Sequence, residues 1–128
     1  CALRATLRGD IWNQLPSDLR DVIKEVTKKT SAGGASGIIN SISDTLFLFA
    51  EKEIFGSKQY SVDGEGTQYA RFTASNTRIK KLNGSATYWW LRSPNSSDTD
   101  YFCAVSTSGA AIYSFADSSG GVCFGFCI

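Results

Sequence analysis

The sequence predicts an α+β domain in which N-terminal helices pack on a small, mostly antiparallel sheet that closes with a hairpin and a final strand. Three observations carry this. Leu3, Leu7 and Ile11 recur at four-residue spacing, as on one face of a helix. Asp44 to Ala50 is a short, Phe-rich apolar run between polar flanks, as expected of a buried strand. Two turn signals, Asn83-Gly84 and Thr107-Ser108-Gly109, punctuate the second half between runs of strand-forming residues. With 128 residues and 42% apolar content the chain buries one modest core, so residues 1 to 128 read as a single domain.

Gly9 allows a break after the first helical turns, giving a helix-turn-helix entry. Pro16 and Ser17 then open a second helix over about residues 17 to 24, with Asp18 and Asp21 early and Leu19, Val22 and Ile23 on one face. Glu25 to Lys29 reads as strand, and Thr30 to Gly37, with three glycines, as the first clear loop. Asp44 to Ala50 fits the central strand, buried on both faces. Glu51 to Phe55 makes a helical turn before Gly56. Ser57 to Gly66 is loop, and its Gly64-Glu65-Gly66 lacks the Lys-Ser/Thr ending of a phosphate loop. Thr67 to Phe72 is expected to be a short helix presenting Tyr69 and Phe72 to the core.

Ile79 to Leu82 and Tyr88 to Leu91 flank Asn83-Gly84 as hairpin arms, with Trp89 and Trp90 half buried. Phe102 to Ser106 and Ala110 to Ser114 form a second hairpin. Strand alternation sets Cys103 and Val105 against Ala104 and Ser106, and Ala111 and Tyr113 against Ala110, Ile112 and Ser114. One face is core; the displayed face is expected to carry residues 104, 106, 110, 112 and 114. Gly121 to Ile128 is nearly all apolar and is expected to end the chain as a buried strand.

Composition removes most chemistry. There is no histidine, so there is no Ser-His or Cys-His dyad, no imidazole acid or base and no His-containing zinc site. Cys1, Cys103, Cys123 and Cys127 show no Cys-x-x-Cys spacing. If Cys123 and Cys127 share a strand they stand about 13 Å apart, too far to bridge. Two readings stay open, buried small hydrophobes or a bridge from Cys103 to Cys123 or Cys127. No catalytic residue, metal or cofactor is assigned, although Asn95, Asp98 and Asp100 offer oxygens to a weak calcium site without the spacing of an EF-hand.

A formal net charge of +1 supplies no field toward nucleic acid or an anionic membrane. The one basic cluster, Arg78, Lys80 and Lys81, reads as a solvated hairpin arm, so no nucleic-acid partner is expected. No apolar stretch nears the roughly 20 residues of a bilayer span, so no membrane insertion is expected. Starting at Cys1 without any Met, the chain reads as the C-terminal fragment of a longer protein.

The last quarter differs from the rest. Every Lys, Glu, Gln and Trp of the chain lies before residue 95, and residues 95 to 128 also lack Arg, Leu and Pro. What remains is Ser, Thr, Asp, Asn, Gly, Ala, Tyr, Phe, Ile, Val and Cys, the vocabulary of binding loops. Lys, Glu, Gln, Trp and Met share one property: none has a codon ending in a pyrimidine. A gene segment varied at codons of fixed third base produces this pattern, and an ordinary Ser/Gly-rich β region is the rival account.

Leu3-Arg4 with Leu7-Arg8-Gly9, Asp44 to Phe49, Glu65 to Tyr69, Trp89-Trp-Leu-Arg-Ser-Pro94 and the terminal Gly121 to Ile128 resemble DUF6273, a family of uncharacterised domains in surface and prophage proteins of gut Firmicutes. The resemblance covers nearly the whole chain and implies a C-type-lectin-like fold. It also implies a variable protein of a diversity-generating retroelement, which copies a template with errors at adenines and so preserves terminal pyrimidines. Carried over by position, Arg92 and the Trp pair are scaffold, and residues 95 to 120 are the variable, ligand-binding region. Its members are Asn95, Ser96, Ser97, Asp98, Thr99, Asp100, Tyr101, Ala104, Ser106, Thr107, Ser108, Ala110, Ile112, Ser114, Phe115, Asp117, Ser118 and Gly120.

Among these, Tyr101, Ile112 and Phe115 are the expected hot spots. The implied partner is a protein or other cell-surface ligand, met outside the cell on a bacterial surface or phage particle, in several copies or as a homo-oligomer. The Glu-Pro-Asn and Trp-Asn-Asp motifs of calcium-dependent, sugar-binding lectins are absent. The alternatives are an enzyme of the formylglycine-generating type, whose cysteines Cys123 and Cys127 echo, and a decoration domain without variability.

Overall fold

The computed structural model describes residues 2–128. Its first element is one helix, α1, in which Ala2–Thr6 runs through a wider turn, Leu7–Ile11, into Trp12–Gln14. Gly9 therefore causes no break. It sits in the wide turn, which absorbs the irregularity without ending the helix. The stop comes at Pro16, after which α2 spans Ser17–Val22. Arg4 and Arg8, one helical turn apart, both clamp Asp44, at 2.8 and 2.7 Å. This ties α1 to the end of a strand.

That strand was not expected from the sequence. β1 (Val26–Ser31) pairs antiparallel with β2 (Ile39–Asp44), in register from Val26 opposite Asp44 to Ser31 opposite Ile39. The predicted loop shrinks to residues 32–38, turning on Gly33 and Gly34 at positive φ. The apolar run after it is buried as predicted, Leu46 and Ala50 almost completely. It is not, however, the centre of a sheet. Only β3 (Phe47–Leu48) is strand, and it pairs with β9 (Phe124–Gly125). α3 (Glu51–Phe55) follows, with the Glu53 carboxylate accepting from the Ala50 N–H at 2.9 Å.

Short 3₁₀ turns at Ala70–Phe72 and Ser75–Arg78 precede the first predicted hairpin, β4 (Lys80–Leu82) and β5 (Ser85–Thr87). Asn83 and Gly84 take φ of 51° and 84°, the pair of positive values that a tight hairpin turn needs. Phe72 is buried, but Tyr69 stays partly exposed, its hydroxyl accepting from Lys28 Nζ at 2.7 Å. Arg78 is not freely solvated: its guanidinium lies over the Phe55 ring and donates to the Phe72 carbonyl.

β6 (Trp89–Pro94), β7 (Tyr101–Val105) and β8 (Ala111–Phe115) make the largest sheet, in that order. β7 is central, and both of its faces are covered. Cys103 and Val105 pack with Ile54, Phe72, Trp89 and Leu91, while Ala104 packs with Leu7, Ile23, Leu46, Leu48 and Trp90. Two corrections follow. Ala104 is fully buried, and Ile112 beside it packs on the same core. Trp89 and Trp90 are buried rather than half buried, because the two clusters occupy opposite sides of β6.

The terminal run is also less buried than its composition predicts. Apart from β9 it makes single bridges, Gly121 to Trp89 and Cys127 to Lys24, and Val122, Phe126 and Ile128 are exposed. Cys103, Cys123 and Cys127 are free thiols, so of the two readings the Cys103 bridge does not form; the other fits Cys103, which is buried, but not Cys127, which is exposed, and Cys1 lies outside the described residues. Among the described residues no helix is long and apolar enough to cross a membrane.

Candidate functional site

Beneath the large sheet lies a buried charged centre. Arg92 donates to Lys29 O (3.0 Å), Leu48 O (2.7 Å), Glu65 O (2.9 Å) and Glu53 Oε2 (2.6 Å). Lys28 Nζ reaches the other Glu53 oxygen at 2.5 Å. Burial alone pushes the Glu53 carboxyl up, but Arg92 and Lys28 outweigh it and hold it below the ordinary range. Glu65 is raised by burial, with hydrogen bonds from Ser93 and the Ser31 N–H only partly opposing it. Its Oε2 has no hydrogen-bond partner. Cys103 is raised too, by burial and by Glu51 and Glu65 nearby, so its thiol is not a nucleophile.

This centre positions the surface above it. Glu51 turns its carboxylate back on the loop that follows α3, accepting from the N–H groups of Gln59 (2.6 Å), Tyr60 (3.0 Å) and Ser61 (3.1 Å) and from the Ser61 hydroxyl (2.9 Å). The Glu51 N–H in turn donates to Ser93 Oγ on β6. The Tyr60 carbonyl accepts from the Ser96 N–H at 2.8 Å. A buried acid thus fixes the half-buried Tyr60 against the loop between β6 and β7.

Tyr60 begins a row of aromatic rings at the open edge of the sheet. Tyr60 meets Tyr113 edge-on at 4.9 Å between centroids, Tyr113 meets Tyr101 at 5.1 Å, and Tyr101 lies tilted against Phe115 at 4.4 Å. Tyr113 and Phe115 are 45% and 52% exposed, although each packs on neighbouring rings. Beside the row is an open pocket of about 380 Å³, walled by Tyr60, Tyr101 and Tyr113 and by Gln59, Asn95, Ser96, Ser97 and Asp98. Asn95 Oδ1 is spent inside this wall, accepting from the Ser97 N–H, the Ser97 hydroxyl and the Asp98 N–H. Asp98 Oδ1 accepts from the Asp100 N–H at 2.8 Å. Asn95 Oδ1 and Asp98 Oδ1 thus cap a turn, and among the described residues no three His, Cys, Asp or Glu side chains gather for a metal.

The residues named from sequence fall in three places. Ser96, Ser97, Asp98, Thr99, Asp100, Tyr101 and Phe115 lie at the end of the sheet that carries the rings, with Asp117 exposed just beyond. Ser106, Thr107, Ser108 and Ala110 form the opposite end of the hairpin, where Ser106 Oγ accepts from Ser108 N and Ala110 N. Four residue steps of β7, about 13 Å, separate the two groups. Ser118 and Gly120 line a different cleft, and Ser114 shares the covered face with Ile112. Asn95 and Ala104 are buried, and a Cβ at Gly120 would stand 2.6 Å from the Tyr88 ring and 2.7 Å from Trp90 Nε1. Those three positions are scaffold. Sequence reasoning missed Tyr60 and Tyr113, the first because only a tertiary contact brings it here, the second because alternation put it on a core face.

The larger cleft, about 880 Å³, runs between α1, β2, β6 and the loop of residues 116–122. Its apolar walls are Leu3, Leu7, Leu46, Leu48, Trp90 and Phe102, and the charged residues that line it are Arg4 and Asp44, paired with one another, and Arg92, already engaged in the charged centre. It is the seam where the helix packs on the core.

Residues 1–128 match the family described as Domain of unknown function (DUF6273). No curated protein and no solved structure matches the chain.

Proposed function

The chain belongs to the DUF6273 family, and we propose that this domain is a ligand-binding module that presents a diversified surface outside the cell, on a bacterium or a phage particle. The observation that carries the reading is the row of Tyr60, Tyr113, Tyr101 and Phe115 beside a polar pocket, with Tyr113 and Phe115 exposed, Tyr60 and Tyr101 half-buried, and Tyr60 held in place by Glu51. Rigid amphipathic rings among small polar residues are how binding surfaces gain contact area at low entropic cost. Monomeric domains seldom expose such a row without a use for it.

The composition of residues 95 to 128 supports diversification by a retroelement. The structure narrows the positions such variation can use, since Asn95, Ala104 and Gly120 have no room. A C-type-lectin-like fold belongs to this reading, supported by the small antiparallel sheets flanked by α1 and by the return of β9 onto β3. Against the enzyme alternative, which rests on Cys123 and Cys127, burial raises Cys123 away from the thiolate, while Cys127 lies exposed on the terminal run.

Two measurements test the reading. The gene should carry pyrimidine-ending codons at the exposed positions between Ser96 and Asp117, with a near-copy bearing AAC or AAT at those codons beside a reverse-transcriptase gene. Absence of that copy removes the diversification. Separately, the domain displayed in multivalent form is offered to bacterial surface extracts next to a variant with Tyr101, Tyr113 and Phe115 changed to Ala. Equal capture by both removes this face as the binding site.

A further inference from the structure

We infer that the aromatic row and its pocket recognise arginine side chains of a polypeptide partner. The inference rests on the binding-module reading above and adds the class of ligand. Three features of the site select that class. The rings offer π-faces at the sheet edge, and Tyr113 and Phe115 are about half exposed, so a planar cation can stack there. The pocket wall is acidic: Asp98 lines it and Asp100 adjoins it, both exposed and neither in an ion pair among the described residues.

The third feature is the lack of a competing cation. Residues 95 to 128 contain no Lys or Arg, and the nearest lysine in sequence to Tyr60, Lys58, is drawn to Asp63 at 3.4 Å. A neutral ligand is the poorer fit. The Asn95 carbonyl, which would serve a sugar hydroxyl, is already taken by three donors. An apolar ligand would desolvate Asp98 with nothing to compensate it. A guanidinium, flat and carrying five donors, stacks on a ring and meets a carboxylate at once, which a lysine ammonium does only in part. The pocket, at about 380 Å³, has the size for one side chain rather than a folded segment.

The test is an NMR titration of the intact domain with an unstructured Gly-Arg repeat peptide. Three probes accompany it: the same peptide with citrulline, its neutral isostere, the same with lysine, and cellotetraose. The arginine peptide should shift amides of residues 59–60, 95–101 and 111–115. The citrulline form should bind at least about tenfold more weakly, and lysine should fall between. Raising salt should weaken the arginine peptide. Asp98→Asn and Tyr113→Ala should each weaken it about tenfold, whereas Asp21→Asn, on α2, should leave it unchanged.

Equal binding of arginine and citrulline peptides, shifts mapping elsewhere, or no binding at millimolar arginine peptide overturns the inference. The two readings separate cleanly. If cellotetraose, or a captured ligand that the arginine peptide does not displace, binds this face and is lost in Tyr113→Ala, the module stands and the arginine assignment falls. If captured ligands ignore the face as well, both fall.

Discussion

Glu65 shows what a single residue does to the pH response of the fold. It is buried without exposure and its Oε2 is unpartnered, so burial raises its carboxyl above the ordinary 4.5. The folded chain therefore binds this proton more tightly than the unfolded chain. Its contribution to stability is full below 4.5 and is lost as pH rises through the raised value. Glu53 has the opposite sign: Arg92 and Lys28 hold it low despite burial, so its contribution is present above 4.5 and is lost as pH falls through the lowered value. Glu65→Gln keeps an oxygen for the Ser31 N–H and has no charge to bury. Its melting temperature relative to the parent should rise as pH is raised above 4.5, because only the parent loses this contribution there. Parallel melting curves above pH 4.5 would show that Glu65 titrates alike in the folded and unfolded chain, so that burial does not raise its carboxyl.

At the scale of elements, the hairpin of β7 and β8 decides which positions tolerate change. Ala104, on the central strand, is enclosed by Leu7, Leu46 and Trp90, whereas Ala110, at the turn, faces water. Ala104→Asn buries an amide and overpacks the core and should cost about 3 kcal/mol or more, while Ala110→Asn should stay within about 0.5 kcal/mol. Gly120→Ala should cost about 1 to 3 kcal/mol, because its new methyl meets two rings. Denaturant midpoints compare the three, and equal costs at 104 and 110 would contradict the burial of β7.

These elements also mark where local sequence was sufficient. Both hairpin turns were legible because Asn83-Gly84 and Gly109 supply the positive φ a tight turn needs, and α3 because Gly56 ends it at φ 76°. β2 was not legible: Ile-Asn-Ser-Ile-Ser-Asp has too little apolar contrast, and its strand form comes from the ladder to β1. Alternation identified the two faces of β7 and β8 but not which was covered. That depends on α1 packing over one face, and on Tyr113 on the other meeting only the Tyr60 and Tyr101 rings and staying about half exposed.

Across the whole molecule, one side chain joins segments that are far apart in sequence. Arg92 reaches Lys29 on β1, Leu48 on β3, Glu53 on α3 and Glu65 in the loop, and its own N–H bonds the Phe49 carbonyl. The four short sheets share few hydrogen bonds with one another, so this guanidinium does the work that a continuous ladder does in a larger sheet. Removing it takes one of the two cations that pair with Glu53 and leaves three backbone carbonyls without their donor. Arg92→Met, similar in length and uncharged, should therefore cost about 3 to 5 kcal/mol, the range for breaking a buried pair by taking one partner. The loss should also be collective. Hydrogen exchange in the variant should speed up at the amides of β1, β3 and the Glu65 loop to the same degree, and the site should loosen with them because Glu51 and Ser93 flank the same centre. Adding Glu53→Gln should deepen the loss rather than recover it, since Lys28 would then lose its buried partner as well. Faster exchange confined to β6, with β1 and the Glu65 loop still protected, would mean that Arg92 braces one strand rather than the fold.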